Sequence, residues 1–323
     1  MKKVTSKRLI LDRAILNKGI YNKIISKKPA VKKQSLGRKV FQICNVVILV
    51  LCALICLLPL LNILAISFSS SAAAGSGMVS FLPVDFNLKS YEFVLQKAEF
   101  WQSFWVSVKR VVVAVPLSLL LTILMAYPLS KADSIFKGRK VYTGILLFTM
   151  LFSGGLIPWY MAIADLNLID SFWALILPNA VSAYNTIILM NFFRQLPVEL
   201  EEAASIDGAS HWRILFQIVV PLSKPAIATI VLFCIVTNWN SWFDGLLLMN
   251  SPSKYPLQSY LQTVIVNSDM SLMSATDILA LGEISDRTQK AAQAFVAALP
   301  ILCVYPFLQK YFTEGLVVGS VKG

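Results

Sequence analysis

The sequence predicts an all-α integral membrane protein with six transmembrane helices and both termini in the cytoplasm. Of the 323 residues, 57% are hydrophobic and only 14% are charged, and the mean hydropathy is +0.68. A soluble domain has about 45–50% apolar and about 25% charged residues. Six apolar stretches are each long enough to cross a bilayer, and the basic residues are distributed unevenly between them. This composition argues against both a soluble enzyme and a disordered protein.

The six stretches are each about 20 residues or more, the length that a helix needs to cross about 30 Å of hydrocarbon. They cover roughly 44–68, 107–129, 141–164, 172–193, 225–249 and 291–311. With the N-terminus inside, the cytoplasmic segments hold 22 of the 29 Lys and Arg residues, and the outside loops hold five. Because cytoplasmic loops carry an excess of basic residues, this bias predicts an N-in, C-in orientation. The first stretch is too long for a signal peptide and is expected to remain as a helix.

The N-terminal tail, residues 1–43, carries much of the net charge of +12. Residues 1–40 contain 13 of the 29 basic residues and a single acid, Asp12. No base-reading motif accompanies them, so we expect no nucleic-acid partner. Two interpretations of the tail stay open: an amphipathic helix on the anionic inner leaflet, or a solvated flexible tail that only fixes orientation.

Three further segments predict local irregularity. The outside loop 69–100 begins with residues 69–76, a Ser, Ala and Gly composition typical of a flexible linker. The third stretch contains Gly154, Gly155 and Pro158, which interrupt a helix; either the irregular backbone lines a water-filled cavity, or the small residues allow close helix packing. The long outside loop 250–291 either docks a partner or is flexible.

The inside loop 196–221 has the capping signals of two short helices. Pro197 suits a first helical turn, and three glutamates follow where negative charge complements the helix dipole: Glu199, Glu201 and Glu202. Asp207-Gly208 supplies a helix stop, since glycine readily adopts a positive φ. Ser210 can cap a second helix that Pro221 ends. Small residues give the first helix a low-profile side that another protein can approach closely: Ala203, Ala204 and Gly208.

This loop resembles a known signature. Glu202-Ala203-Ala204, three residues, Gly208, nine residues and Ile218-Val219-Val220-Pro221 is similar to the EAA signature of ABC importer permeases, the inner membrane components of binding-protein-dependent transport systems. Val220 stands where that signature usually has Leu. Residues 126–131 resemble the end of the family's early core helix. Three further runs resemble the carbohydrate branch of the family, in particular the LplC/YtcP-like permeases: 154–158, 239–240 and 319–323. The resemblance covers about 44–323.

The resemblance implies a type I ABC importer permease fold in a bacterial plasma membrane. After the first helix, 44–68, and the loop 69–100, residues 101–311 would form the core permease domain. In this family the EAA loop forms a coupling helix that sits in a cleft of the ATPase subunit. The residues implied for ATPase coupling are Glu202, Ala203, Ala204, Asp207, Gly208 and Pro221. In the tail 312–323, Lys322 and Gly323 are implied to contact the ATPase.

The family also implies the partners of the chain. They are a second, different permease subunit, two ATPase subunits, an extracellular solute-binding protein, membrane lipid and an oligosaccharide substrate. ATP and Mg would be bound by the partner ATPases, and this chain would bind no cofactor directly. The sequence is consistent with ATP binding by the partners, because it contains no G-x-x-x-x-G-K-[ST] phosphate loop. Its single histidine, His211, lies in the inside loop, and no Ser/His/Asp or Cys/His set can be assembled within the spans, so we expect no enzymatic activity and no metal site.

A polar run in the fifth stretch is the candidate substrate pathway. Tryptophan rings can stack on sugars, and amides or a carboxylate can bind hydroxyl groups. The candidates are Asn238, Trp239, Asn240, Trp242 and Asp244, with Asn185 of the fourth stretch as a weaker one. The alternative is an aromatic belt with interhelical hydrogen bonds. Lys109, Arg110 and Asp244 lie near the outer ends of their spans, where long side chains can snorkel.

Together these features favour a permease subunit of an ATP-driven importer for a carbohydrate. The LplC-like branch suggests a complex oligosaccharide, with a uronate-containing or glycan-derived one as an option. The alternatives are an ABC permease for a non-sugar solute, a secondary carrier and an intramembrane enzyme. A secondary carrier would need a membrane-embedded chain of acids, and an intramembrane enzyme would need a catalytic cluster; the spans contain neither.

Overall fold

The structure, a computed structural model, describes residues 36–265 and 286–320, and these residues contain helices and no strand. The first seven α-helices are α1 (Leu36–Ser67), α2 (Ser71–Gly75), α3 (Lys89–Gln96), α4 (Ala98–Ser130), α5 (Arg139–Leu151), α6 (Leu156–Asp165) and α7 (Ala183–Phe193). The others are α8 (Val198–Ile206), α9 (His211–Ile214), α10 (Val220–Leu222), α11 (Lys224–Asn240), α12 (Phe243–Leu248), α13 (Leu257–Ile265) and α14 (Asp286–Ser320). A π-helical turn, Leu215–Val219, joins α9 to α10, and 3₁₀ turns lie at Phe172–Leu175, Leu177–Asn179 and Pro252–Lys254.

Backbone contacts divide the chain into two compact units, Met1–Pro59 and Leu60–Gly323. In the first unit, the described side chains are all exposed. The second unit contains the buried core and every site considered below. Its largest core cluster joins the end of α4 to α7 and to the segment α9–α10, through Tyr127, Leu189, Phe193, Leu215 and Val219. Helix α11 packs between α4 and α14, and α13 packs against both of these helices.

Two helical segments, Gly37–Ser67 and Ala98–Ser130, are each long and apolar enough to cross a membrane. They contain residues 44–67 of the first predicted span and the whole of the second. Three other pairs of helices satisfy the same test only together, because each pair is bent, so the described residues provide up to five spans on this criterion. The pairs are Arg139–Leu151 with Leu156–Asp165 (117°), Phe172–Asn179 with Ala183–Phe193 (47°), and His211–Leu222 with Lys224–Asn240 (83°). The sixth predicted span lies within α14.

The break predicted in the third stretch is present between α5 and α6. Phe152 leaves the helical conformation, and Gly155 adopts φ +88°, a region that favours glycine. A Cβ placed on Gly155 would meet no atom within 4 Å, and one on Gly154 would meet only Pro158, at 3.9 Å. In the described part of the chain, these glycines therefore break the helix and do not mediate close helix packing.

The fifth stretch is not one helix over 225–249, because α11 ends at Asn240 and α12 begins at Phe243. The polar residues between them explain the interruption. The Asp244 carboxylate accepts hydrogen bonds from the Ser241 hydroxyl (2.8 Å) and from the Gly245 amide (2.9 Å). Short polar side chains that bind nearby groups in this way compete with regular helical hydrogen bonding.

Two expectations for the outside loops change. Residues 69–76 are not a flexible linker, because α2 forms there with Ser70 as its N-cap, and Ala73 and Ala74 are buried. In the loop 250–291, residues 252–265 are folded, and Leu257 and Leu261 are part of a core cluster. Residues 266–285 of that loop lie outside the described residues, as do residues 1–35 of the basic tail.

Candidate functional site

Helix α8 begins and ends at the residues that the sequence predicts. Pro197 precedes it as the N-cap residue, and Glu199 and Glu201 lie in its first turn. The helix ends at Asp207, and Gly208 adopts φ +79°. The next amide, that of Ala209, donates to the Ala204 carbonyl (2.9 Å), a closure typical of a glycine-terminated helix. The predicted first helix and its glycine stop are confirmed.

One side of α8 is exposed and carries both aliphatic side chains and an acidic one. Val198 and Ile206 are 61% and 86% exposed, and Glu202 lies between them at helical spacing and is also exposed. Ala203 is exposed as well, whereas Ala204 packs against the core cluster. Sequence reasoning singled out Glu202 and Ala203 but missed Val198 and Ile206, whose i, i+8 spacing around Glu202 was the available signal. Within the described chain, an acid flanked by two uncovered aliphatic side chains is a surface suited to a protein partner.

The opposite side of α8 is attached to the end of α4. The Lys131 ammonium forms an ion pair with Glu201, and only 13% and 23% of the two side chains are exposed. The same ammonium lies 3.9 Å from the centre of the Tyr127 ring. Arg194, just before α8, donates to the Leu129 carbonyl (2.9 Å). Helix α8 is therefore fixed to the core on one face and open on the other.

The second half of the inside loop 196–221 packs against the core as well. Ser210 caps α9 by accepting from the Arg213 amide (3.4 Å), as predicted. Ile214, Leu215 and Val219 are buried in the core cluster. Pro221 does not end the segment, which continues to Leu222 before the 83° bend into α11. Proline is compatible with the first turn of a helix, so Pro221 fits at the start of α10.

Four of the predicted pathway residues are buried and bonded within the chain. Trp239, 4% exposed, donates from Nε1 to the Ala297 carbonyl (3.0 Å) and packs edge-on to Phe104. Asn238 donates to the Cys234 carbonyl (2.9 Å), and Asn185 donates to the Cys234 sulfur (3.6 Å). These interhelical and intrahelical contacts match the alternative interpretation of the polar run.

Asp244, the fourth buried residue, forms an ion pair with Arg110. The Arg110 Nη1 donates to Oδ1 of Asp244 (3.2 Å), and its Nη2 donates to Oδ2. Arg110 is 1% exposed and Asp244 is 5% exposed. The expectation that Arg110 snorkels is therefore wrong, because a buried carboxylate on another helix neutralises its charge. Lys109 does remain exposed, with its ammonium 4.5 Å from the centre of the Phe172 ring.

Asn240 and Trp242, the other two predicted pathway residues, line a cavity of about 380 Å³. Gln258 and Gln262 of α13 line it as well, and α14 completes the wall with alanine and aliphatic side chains. Trp242 is 41% exposed. The cavity thus combines one aromatic ring and three neutral amides with an apolar wall, a combination suited to a polyhydroxylated ligand. Sequence reasoning missed the two glutamines because it treated 250–291 as a loop.

Comparison with known proteins fits this arrangement. The family model described as "Binding-protein-dependent transport system inner membrane component" matches residues 29–317. The chain belongs to this family. It is therefore a membrane component of an ABC transport system, and the resemblance to ABC importer permeases is confirmed.

Individual relatives are similar over nearly their whole lengths. Protein LplC of Bacillus subtilis (strain 168) is 43% identical over 285 residues, 88% of this chain and 96% of that protein. The polygalacturonan/rhamnogalacturonan transport system permease protein YtcP of the same strain is 44% identical over 279 residues, 85% of this chain and 96% of that protein. A chain in the crystal structure of a bacterial ABC transporter that imports the acidic polysaccharide alginate is 36% identical, with a TM-score of 0.79 over 86% of this chain and 99% of that chain.

The described residues contain no group of three or more His, Cys, Asp and Glu side chains that could hold a metal ion. Charged side chains in the core instead occur as pairs, such as Arg110 with Asp244. The arrangement can bind a protein on α8 and a polyhydroxylated ligand in the cavity. The C-terminal candidates Lys322 and Gly323 lie outside the described residues.

Proposed function

We propose that this chain is the permease subunit of an ATP-driven, binding-protein-dependent importer for an oligosaccharide, and that it forms half of the translocation pathway. The observation that carries the proposal is the two-sided arrangement of α8. Its outer face presents Val198, Glu202 and Ile206 without cover from the described chain. Its inner face is tied to α4 through Glu201. A helix that is open to a partner and rigidly attached to a spanning helix can convert movement of the partner into movement of the spans.

The partner at α8 is an ATPase subunit. The acid and the small residue on its open face, Glu202 and Ala203, allow a charged contact and a close backbone approach. Asp207 and Gly208 set the turn that ends this face, and Ala204 and Pro221 shape its attachment to the core. Two such ATPases, which bind ATP and Mg, would drive the transporter, while this chain acts without catalysis. In the tail, Lys322 and Gly323 would make a second contact with the ATPases.

The assembly needs further partners and a defined orientation. A second permease subunit of different sequence completes the pathway, and an extracellular binding protein delivers the substrate. We infer six spans for the chain, and the 22 to 5 distribution of basic residues supports placing both termini in the cytoplasm. This orientation places α8 on the cytoplasmic side, where ATP is available, and the long loops 69–100 and 250–291 outside.

The substrate is a carbohydrate, and the cavity is its contact in this subunit. Trp242 supplies a flat face for a sugar ring, and Asn240, Gln258 and Gln262 supply donors and acceptors for hydroxyl groups. YtcP is named as a permease protein of a polygalacturonan/rhamnogalacturonan transport system, and the structural neighbour belongs to a transporter involved in the import of the acidic polysaccharide alginate. An oligosaccharide that contains uronate therefore fits the relatives, and its hydroxyl groups fit the amides. Asn185, Asn238, Trp239 and Asp244 support the pathway by holding its walls.

The test is whether α8 binds and couples the ATPase. The complex is purified with Glu202→Lys or Gly208→Asp in this chain, and the retained ATPase and the ATP-driven uptake in vesicles are measured. We expect each variant to lose most of the bound ATPase or most of its coupled uptake. Glu99→Lys is the matched control, because it reverses an exposed glutamate at the opposite end of α4. If both α8 variants kept the ATPase bound and coupled, as we expect for the Glu99→Lys control, the proposal would fail.

A further inference from the structure

The segment that follows α2, residues 77–87, folds back along α1, and we refer to it as the strap. Asn62 of α1 donates from Nδ2 to the Ser80 carbonyl (2.5 Å). The Ser70 amide donates to the Val84 carbonyl (3.0 Å), and the Asn87 amide donates to the Phe68 carbonyl (3.0 Å). The strap thus begins after α2, reaches back to Asn62 of α1 and returns to Phe68.

The contact at Asn62 sets how far the strap reaches. Asn62 lies five residues before Ser67, the last residue of α1, which corresponds to about 7.5 Å along the helix axis. Residues next to Ser80 are therefore held beside the body of α1, below its end. Under the proposed function, residues 44–68 are the first span and its end lies at the outer membrane surface. The tip of the strap then lies at the depth of the interfacial region of the outer leaflet.

One side of the strap is packed, which fixes its conformation. Val79 is 5% exposed and belongs to a core cluster with Ala65 and Ile66 of α1 and with Ala73 and Ala74 of α2. Val84 packs against the same cluster, and its amide donates to the Ser69 hydroxyl (3.0 Å). The orientation of the remaining side chains is therefore determined by this packing.

The other side of the strap is strongly apolar and largely exposed, although one face of the Phe86 ring stacks on Phe68, with the ring centres 5.4 Å apart. Four large side chains within nine residues are more than half exposed: Met78 (65%), Phe81 (54%), Leu82 (77%) and Phe86 (64%). Asp85 is the one charged residue of the strap, and the Ser70 hydroxyl donates to it (3.4 Å). Contiguous exposed apolar side chains mark a surface that interacts with a membrane or a partner.

We propose that the strap inserts these four side chains into the boundary between headgroups and acyl chains of the outer leaflet, beside α1. The depth set by Asn62 and the near absence of charge both favour lipid as the occupant. Aromatic and aliphatic side chains that enter this boundary by about 5–10 Å anchor a protein at the interface. The strap would hold the outer end of the first span at a fixed level while other parts of the transporter move. This goes beyond the proposed function and depends on it only for the position of the first span.

The test places an environment-sensitive fluorophore at Leu82 in the full importer, reconstituted into lipid bilayers. The five native cysteines are replaced by alanine, retained uptake is checked, and Leu82→Cys is labelled. Ala72→Cys is the control, because Ala72 is an exposed residue of the neighbouring α2. We expect lipids brominated near the headgroup to quench the label at position 82 at least about twofold more than at 72, and iodide in the buffer to do the reverse.

Equal quenching at both positions by iodide would show that the strap is in water and would overturn the proposal. A label at position 82 that neither quencher reaches would place the strap against another protein subunit, which would overturn it too. Phe81→Trp in the chain with its native cysteines gives a second measurement. Brominated lipid should quench a larger part of the tryptophan fluorescence in this variant than in the parent chain. Equal quenching of the two proteins would count against the proposal. Because these readouts need no ATP, they can fail or succeed independently of ATPase coupling.

Discussion

Lys131, at the C-terminal end of α4, donates a hydrogen bond to the carboxylate of Glu201 in α8, a residue 70 positions further along the chain. Both side chains are mostly buried, and the Lys131 ammonium also lies over the ring of Tyr127. The pair joins a 33-residue helix of the core to the helix that we propose as the ATPase contact. Because α8 has few other side-chain attachments to α4, the pair is well placed to transmit force between them.

The first prediction concerns this pair. Lys131→Met leaves the Glu201 carboxylate without its partner, and we expect a cost of about 1–3 kcal/mol in the attachment of α8. The ATPase should still bind, because the open face of α8 is unchanged, but uptake per ATP hydrolysed should fall several-fold. Uptake and ATP hydrolysis measured on the same vesicles check this. The exchange Lys131→Glu with Glu201→Lys should recover part of the loss; if it recovers none while Lys131→Met couples normally, the pair does not transmit force.

The second prediction concerns the buried pair of Arg110 and Asp244. Asp244→Asn removes one charge and leaves the Arg110 guanidinium buried and unneutralised, so we expect destabilisation by about 3–5 kcal/mol. Replacing both residues, Arg110→Met with Asp244→Leu, should cost clearly less than Asp244→Asn. Thermal unfolding of the purified complex measures both effects. A double variant as unstable as the sum of its single variants would indicate that the two side chains do not interact.

The third prediction separates the two tryptophans of the polar run. Trp239 is buried between α4 and α14, so Trp239→Ala should destabilise the protein by about 3–5 kcal/mol. Trp242 is part of the cavity wall, so Trp242→Ala should leave the unfolding temperature nearly unchanged and should reduce oligosaccharide uptake. Gln262→Ala should behave like Trp242→Ala. Equal loss of stability for both tryptophan variants, with no specific effect on uptake, would contradict the assignment of the cavity.

The fourth prediction is a pH dependence at the outer ion pair of Asp170 and Lys254. A hydrogen bond from the Lys254 ammonium, aided by one from the Asn250 amide, lowers the pKa of Asp170 below its usual value of 3.8. A carboxyl group with a lowered folded-state pKa stabilises the fold above the unfolded-state pKa, and this contribution is lost as pH falls through the lowered value.

Asp170→Asn tests this dependence, because asparagine has nearly the same shape and tolerates the positive φ of 61° at this position. The parent protein should be more stable than the variant near pH 6, and the difference should shrink as pH falls below the unfolded-state pKa of Asp170. Unfolding temperatures of both proteins across this range provide the measurement. A difference that stays constant with pH would show that the carboxylate charge contributes nothing.

The local signals of the sequence were sufficient for α8 and for the break after α5. Pro197, the glutamates and Gly208 each act on their own neighbours, so capping rules that operate over a few residues predict that helix. Gly155 lies in the break between α5 and α6, and Pro158 lies in the first turn of α6, where proline is tolerated, so this break also has a local cause.

Pairings between distant residues could not be predicted in this way. Arg110 and Asp244 are 134 residues apart, and the sequence shows their charges but not their contact. The cavity depends on α13 folding against α14, which a loop interpretation of 250–291 excludes. Residues 69–76 have the composition of a linker, yet tertiary packing buries Ala73 and Ala74 and makes that segment a helix. In each case the deciding contact joins residues that are far apart in the sequence and close together in the fold.

The last prediction distinguishes two roles for Gly208. A Cβ at this position would meet no atom of the described residues within 4 Å, so substitution creates no clash with them. The cost of Gly208→Ala comes from the positive φ of 79°, and we expect about 1–2 kcal/mol. Gly208→Asn should recover much of this loss, because asparagine tolerates that region of φ.

Vesicle uptake then separates the two roles of Gly208. If ATPase coupling requires the turn, uptake should be highest for the parent, lower for Gly208→Asn and lowest for Gly208→Ala. If coupling requires close approach of the ATPase backbone, the larger asparagine should lower uptake more than alanine does. Because Asp207 and Gly208 are assigned to the turn, we expect the first order, and vesicle uptake with both variants decides between them.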